Sequence, residues 1–211
     1  MLTMTETLIY KGDSMIDLSF LKYGDCLVHL EKKGFDPIGA FIGMFSFNSK
    51  RIKRKAVHIA WFIGMEAGVP MELGHHAQTN IYVAPIPDSQ WDNIVVLRYL
   101  PNNKGLSRDV YERVFAEILR SKGTKKGEYD ALSFPSMFLR SVIGKLMKNK
   151  MFRKGKPIFN DLVKTVCSSL VPTVIFEIEN LHMFSNVHYA SIIPEDYLDN
   201  KSFKIMYKPK D

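Results

Sequence analysis

Cys167 has the sequence surroundings that a thiol nucleophile needs. It comes just before the apolar stretch Leu170–Ile178, which predicts a helix. Free N–H groups at a helix N-terminus stabilise a thiolate and can also receive a developing oxyanion. Pro172 is tolerated only near the start of a helix, so the first turn is expected to begin at Ser168 or a residue or two later. Cys167 is therefore the candidate nucleophile.

His58 and Glu72 are the candidate base and orienting acid for this thiol. His58 lies between Val57 and Ile59 in an apolar run typical of a strand, and Glu72 lies in the next predicted strand. Neighbouring antiparallel strands can bring the carboxylate beside the imidazole, where it would orient the ring and favour its charged form. Taken singly, each residue also has a structural interpretation, as a satisfied strand histidine and an exposed strand glutamate. A combination of Cys167, His58 and Glu72 therefore gains meaning only from the motifs around these residues.

The other thiol and two further histidines are interpreted as structural. Cys26 alternates with Leu27 in a predicted strand and has no helix start beside it, which is typical of a core residue. His29 and His188 have no recognisable partner in the sequence. Two cysteines, no CxxC and no Cys/His ligand cluster predict neither a disulfide framework nor a metal site. The proposed chemistry needs no cofactor.

Hydrophobic periodicity predicts the helices and strands that must position these residues. Helices are predicted from a Ser107 N-cap to Gly123, and over Pro37–Phe47 and Met137–Met147. Strands are predicted at Cys26–Leu30, Val57–Gly64, Val69–Leu73, Asn80–Ala84, Asn93–Leu100 and Phe203–Tyr207. Several antiparallel strands between flanking helices, with no linker, indicate one α+β domain spanning residues 1–211.

Short motifs occur along the chain in an order that matches a known family. They are Gly24-Asp25 before a strand, His58-Ile59-Ala60 in a strand ended by glycine, Met71-Glu72-Leu73, Val95-Val96-Leu97-Arg98, Gly127-Glu128-Tyr129-Asp130, Cys167-Ser168-Ser169-Leu170-Val171 and Ile193-Pro194-Glu195-Asp196-Tyr197-Leu198. This series resembles circularly permuted, papain-like cysteine hydrolases of the NlpC type. YiiX-like proteins and the lecithin:retinol acyltransferase group belong to that set. In them the histidine strand precedes the cysteine helix, the reverse of papain.

The resemblance implies a papain-like core over residues 23–198, after a ragged lead-in over 1–22 and with a basic insertion near 134–156. It implies a Cys–His pair of Cys167 and His58, with the third polar residue drawn from Glu72, His75 or His76. It also implies that Tyr129 helps to bind substrate or to shape the oxyanion pocket. A purely structural tyrosine, buried in a turn, is the alternative for this residue. Relatives act on peptidoglycan peptides and on lipid acyl groups, so a hydrolase of amides, esters or thioesters is expected. A lipid-acting acyltransferase is the alternative.

The charge of the chain bears on its partners. The formal net charge is +7 and the pI about 9.3, which favours acidic partners such as anionic lipid or another polyanion. The basic residues cluster near 50–55 and 140–154, and solvated loops also explain them. The segment 134–156 mixes apolar and basic residues, so it either rests on an anionic membrane or packs on the core. No sequence pattern for specific nucleic-acid binding is present.

The expected location follows from the first residues and the hydropathy. MLTMTETLIYKGD is acidic and polar where a signal peptide has a basic end and an apolar run. No stretch reaches the roughly 20 apolar residues of a membrane span. A cytoplasmic protein is expected, or a virion-associated one if the source is a phage or virus. A catalytically silent polyanion-binding or virion-associated protein with the same fold remains the non-enzymatic alternative.

Overall fold

The computed structural model describes residues 8–11, 14–31, 49, 51–76, 79–129, 139, 143, 146 and 165–209. The helix expected over Pro37–Phe47 lies outside these residues. So does nearly all of the 134–156 segment, of which Leu139, Ile143 and Leu146 are described, and Leu146 is 79% exposed.

Six antiparallel strands form the central sheet, in the order β6-β5-β4-β3-β7-β8. All six strands predicted from the sequence are present, with β4 and β5 extending two or three residues further than expected. They are β3 Cys26–Leu30, β4 Ala56–Glu66, β5 Val69–His76, β6 Asn80–Pro85, β7 Ile94–Tyr99 and β8 Phe203–Tyr207. The α+β class with an antiparallel sheet and flanking helices is confirmed.

Side chains alternate across this sheet and create two cores. The larger core covers the face on which the α-helices pack, here called the helical face, and includes Ile59 of β4 and Leu73 of β5. The smaller core covers the opposite face and includes Ala60 of β4 together with the buried Trp91. Successive strand residues point to opposite faces, so the direction of each polar strand residue follows from its apolar neighbours.

The described α-helices all contribute to the core of the helical face. They are α1 Arg108–Ser121, α2 Leu170–Glu179 and α3 Pro194–Asp199. Ser107 caps α1 as predicted, since its side chain accepts a hydrogen bond from the N–H of Val110. α2 begins at Leu170, within the range that Pro172 allows. The cysteine loop is thereby fixed against the sheet by the packing of α2 on α1 and the strands.

The described part of the expected ragged lead-in contains two short strands. Strand β1 Leu8–Lys11 pairs antiparallel with β2 Ser14–Asp17, and Leu18 is buried in the smaller core. At the other end, β8 forms an edge of the main sheet beyond residue 198. The packed core therefore extends on both sides of the expected 23–198 range.

Two arginines of the basic cluster near residues 50–55 form hydrogen bonds with backbone carbonyls of the fold. The guanidinium of Arg51 donates to the carbonyl oxygens of Leu198 and Phe203 at 3.0 and 3.1 Å. Arg54 donates to the carbonyl oxygen of Asp92 at 2.8 Å and also to that of Glu31. Both groups satisfy carbonyls of the chain itself, so this part of the cluster is structural in addition to being basic.

Candidate active site

A gap opens in the sheet where β4 and β5 separate. Their pairing ends at Ala60 and Gly74, while β5 continues to pair with β6 as far as His76. Hydrogen-bonding direction alternates along a strand, and the N–H of Phe62 points to β3, where it bonds the carbonyl of Asp25 at 2.8 Å. The N–H of Ile59, three residues earlier, therefore points away from β3 and into the gap.

The thiol of Cys167 lies at this gap. The backbone groups of Ile59, of Cys167 itself and of Ser168 lie near enough to lower the pKa of the thiol, against the larger effect of burial. The hydroxyl of Tyr129 donates to Sγ across 3.9 Å. The sulfur therefore lies among polar groups, near the peptide bond that follows His58.

Several hydrogen bonds fix the loop that carries the thiol. Ser169 Oγ accepts from the N–H of Val166 at 3.0 Å, and Tyr197 Oη donates to the carbonyl of Ser168 at 2.6 Å. Ser168 Oγ donates to the carbonyl of Ile192. This loop leads directly into α2, which confirms the prediction that Cys167 stands beside a helix N-terminus.

Burial sets the ionisation of the thiol. It raises the pKa of Cys167 above the usual value for cysteine, and the surrounding hydrogen-bond donors offset only part of that effect. We expected a lowered pKa from the helix N-terminus alone, and that expectation is wrong because the sulfur is almost fully enclosed, at 7% exposure. Cys26 is completely buried, as predicted, and burial raises its pKa well above the usual value. Both cysteines are therefore neutral thiols at neutral pH.

His58 projects from the opposite face of the sheet, because its neighbour Ile59 points to the helical face. Its Nε2 lies 3.0 Å from the hydroxyl oxygen of Tyr82. Burial lowers the pKa of His58 well below its usual range, and the neighbouring His29, His76 and His75 lower it further. We expected a carboxylate beside His58 to favour the charged imidazole. That expectation is wrong, because the imidazole contacts the neutral hydroxyl of Tyr82, which lies between it and Glu72.

No hydrogen bond joins Cys167 to the imidazole of His58, both of which are among the described residues. The thiol lies near the backbone of Ile59, one residue along β4, and its loop approaches the gap from the helical face. A charge on Cys167 nevertheless contributes to the raised pKa of Tyr82, after burial and Glu72. The thiol therefore lies within electrostatic range of the hydroxyl that contacts His58.

Glu72 is buried, in contrast to the exposed position that its sequence surroundings favour when it is considered alone. Its Oε1 accepts from Tyr82 at 3.0 Å, and its Oε2 lies 2.9 Å from Nε2 of His29. Glu72 thus reaches His58 through Tyr82. His29 has a clear partner, which the sequence did not reveal.

His75 and His76, the alternatives for the third position, point to opposite faces of β5. The Nε2 of His75 donates to the carbonyl of Gly127 at 3.2 Å, and its Nδ1 lies 3.4 Å from Thr165 Oγ1 on the helical face. The ring of His76 lies 6.0 Å from that of His58, centroid to centroid. His75 therefore contacts the segment that precedes Cys167, whereas His76 lies near the candidate base His58.

Two further features concern metal binding and membrane-spanning helices. Within the described ranges, no cluster of three or more histidine, cysteine or acidic side chains has a geometry that could hold a metal ion. Among the helices that the structure describes, none combines the length and apolar character needed to cross a membrane.

Comparison with models of known protein families gave no match, and neither did comparison with curated proteins.

Proposed function

We propose that this protein is a cysteine-dependent hydrolase of amides, esters or thioesters, with the permuted papain-like arrangement that its motifs resemble. The observation that carries the proposal is the thiol of Cys167, which lies just before α2, accepts from the hydroxyl of Tyr129 and is near the backbone of Ile59, the residue that follows His58. A cysteine at a helix N-terminus with a histidine as its general base is the arrangement of an activated nucleophile, and here the candidate base is linked to Glu72 through Tyr82.

The lowered pKa of His58 and the raised pKa of Cys167 define the resting state. Both groups are neutral near pH 7, so the site holds a thiol and an imidazole rather than an ion pair. His58 would accept the thiol proton as the sulfur attacks the carbonyl carbon, and would return that proton to the leaving group. Water, activated in the same way, would then release the acyl group and restore the thiol.

The donors around the sulfur suit the developing oxyanion. The backbone N–H groups of Cys167 and Ser168 precede α2, where the helix dipole favours negative charge. Tyr129, implied by the family resemblance at this pocket, donates towards the sulfur and would polarise the same region.

A lipid-acting acyltransferase of the same fold is the second candidate, and one observation favours it. A cavity of about 740 Å³ lies between α1, α2 and the chain before α3, and its lining is mostly apolar. Thr165 and Leu170, two residues before and three residues after Cys167 in the sequence, line it along with Phe176 and Met183, whereas Cys167 itself is not among its lining residues. Pockets of this size and character commonly hold apolar ligands.

Hydrolysis of p-nitrophenyl acetate, with mass spectrometry of the intact protein, tests the proposal. We expect a transient acetyl group on Cys167, and a loss of hydrolysis of about 100-fold or more in both Cys167→Ala and His58→Ala. Cys26→Ala is the matched control, because it removes the other buried thiol, which lies on β3 away from the candidate nucleophile. Hydrolysis that persists unchanged in Cys167→Ala would refute the proposed function.

A further inference from the structure

Tyr82 reaches the candidate base by lying across a glycine. It stands on β6 directly opposite Gly74 of β5, which in turn stands opposite Ala60 of β4. A Cβ atom on Gly74 would overlap the phenol ring and hydroxyl of Tyr82. Gly74 has no positive φ angle, so the close approach of the ring accounts for glycine there. The missing side chain lets a residue of β6 extend over β5 to His58 on β4.

The hydrogen bonds around Tyr82 fix the positions of the protons. An ionised carboxylate only accepts, so the single hydroxyl proton of Tyr82 is donated to Glu72. The hydroxyl oxygen must then accept from Nε2 of His58 at 3.0 Å. His58 is consequently the tautomer with its proton on Nε2, and Nδ1 carries the basic lone pair.

A second hydrogen bond holds the Glu72 side chain in place. His29 Nε2 donates to the second carboxylate oxygen at 2.9 Å. Burial, followed by the charge and hydrogen bond of Glu72, raises the pKa of Tyr82 far above its usual range, so the phenol stays protonated. Tyr82 thus transmits the influence of the carboxylate without itself titrating.

We infer that Tyr82 is the positioning residue of the site: it holds His58 with Nε2 protonated and Nδ1 available for the thiol proton, and Glu72 acts on His58 only through this hydroxyl. The inference rests on the proposed function for its catalytic meaning. When His58 takes up the thiol proton on Nδ1, the Nε2–H bond to Tyr82 strengthens, and the hydroxyl passes part of the positive charge towards Glu72.

Nuclear magnetic resonance of the full chain labelled with ¹⁵N-histidine tests the tautomer without reference to activity. In the wild type we expect the His58 signals of a single Nε2–H tautomer. In Tyr82→Phe, which keeps the ring over Gly74, we expect a mixture of both tautomers. Tyr207→Phe is the matched control, since it removes a hydroxyl that donates to the Trp91 carbonyl at 3.4 Å, away from His58. An unchanged His58 tautomer in Tyr82→Phe would overturn the inference.

The rate of p-nitrophenyl acetate hydrolysis provides the second measurement. Tyr82→Phe is expected to lower kcat by roughly 10- to 100-fold with little change in KM, because it disturbs the base and leaves the binding surface intact. Tyr207→Phe should leave kcat within twofold. If Cys167→Ala is inactive while Tyr82→Phe keeps full rate and the wild-type tautomer, only the positioning role fails. If Cys167→Ala stays active, the proposed function itself fails.

Discussion

Arg98 and Asp25 form a two-point ion pair that joins β7 to the turn before β3. Nε and Nη2 of Arg98 each lie 2.8 Å from an oxygen of Asp25, whose side chain is 1% exposed. Burial raises the pKa of Asp25 in spite of the opposing influence of Arg98 and the N–H of Lys22. The carboxylate therefore depends on this arginine to remain charged inside the protein.

Removing the arginine should be costly. We expect Arg98→Ala to lower the free energy of unfolding by about 3–5 kcal/mol, because it leaves a buried carboxylate without its counter-ion. Urea unfolding at pH 7 measures the change. Arg120→Ala is the matched control, since Arg120 pairs with Glu117 on the exposed side of α1 and its side chain is 75% exposed. The control should change stability by less than about 1 kcal/mol, and equal losses in the two variants would contradict this prediction.

The lowered pKa of His58 predicts an acid-tolerant activity. Its burial and the neighbouring histidines keep the imidazole neutral, and therefore basic, below the usual histidine value of about 6.5. The acid limb of kcat/KM for p-nitrophenyl acetate should consequently lie below pH 6.5. His76→Gln removes one of the neighbouring imidazoles that lower the pKa of His58 and should move that limb to higher pH. A wild-type limb at or above pH 6.5 would show that His58 is not the titrating base.

His75 should make the fold sensitive to acid. Burial lowers its pKa to about 4, whereas the unfolded chain has the usual value near 6.5. The unfolded state therefore binds a proton first as the pH falls, and about 3 kcal/mol of stability present above pH 6.5 is lost as the pH falls towards 4. Unfolding by urea at pH 7 and pH 4.5 measures the difference. In His75→Gln the difference should be smaller by about 2 kcal/mol, and parallel pH curves for the two proteins would rule out this role.

A substitution in the turn between β4 and β5 is expected to stabilise the protein. Ala67 and Gly68 connect Glu66 to its partner Val69, and both turn residues have positive φ angles, of 49° and 82°. Asparagine tolerates this conformation better than alanine, and Asn-Gly is the preferred pair for a two-residue turn of this kind. We expect Ala67→Asn to raise the free energy of unfolding by about 0.5–1 kcal/mol, measured by thermal or urea unfolding.

Gly68→Ala is the control for this turn. It places a side chain at φ 82° without meeting any atom within 4 Å, so it isolates the backbone strain. A loss of about 1–2 kcal/mol is expected. Stabilisation by Gly68→Ala, or destabilisation by Ala67→Asn, would contradict the assigned turn.

Local patterns in the sequence were enough to predict the elements. Short apolar or alternating runs predicted the six strands, and Ser107 predicted the start of α1, because these features depend on neighbours within a few residues. The place of Cys167 before α2 was predictable for the same reason. The hairpin of β1 and β2 was missed because its strands are only four residues long.

The partners within the site were decided by the tertiary structure. Tyr82 meets His58 only because the strand register sets it opposite Gly74, and a shift of one residue would turn it to the other face. His29 pairs with Glu72 across β4, although 43 residues separate them in sequence. Neither contact has a local signature.

The ionisation states were likewise set by tertiary structure. A helix N-terminus read from the sequence predicts a lowered pKa for Cys167, but desolvation opposes it and is larger. Desolvation depends on every element that covers a group, from β4 to the chain around Tyr129. The sequence by itself determined which residues can do chemistry, and the fold decided which of them meet and which of them carry charge, because contact and burial are properties of the folded chain.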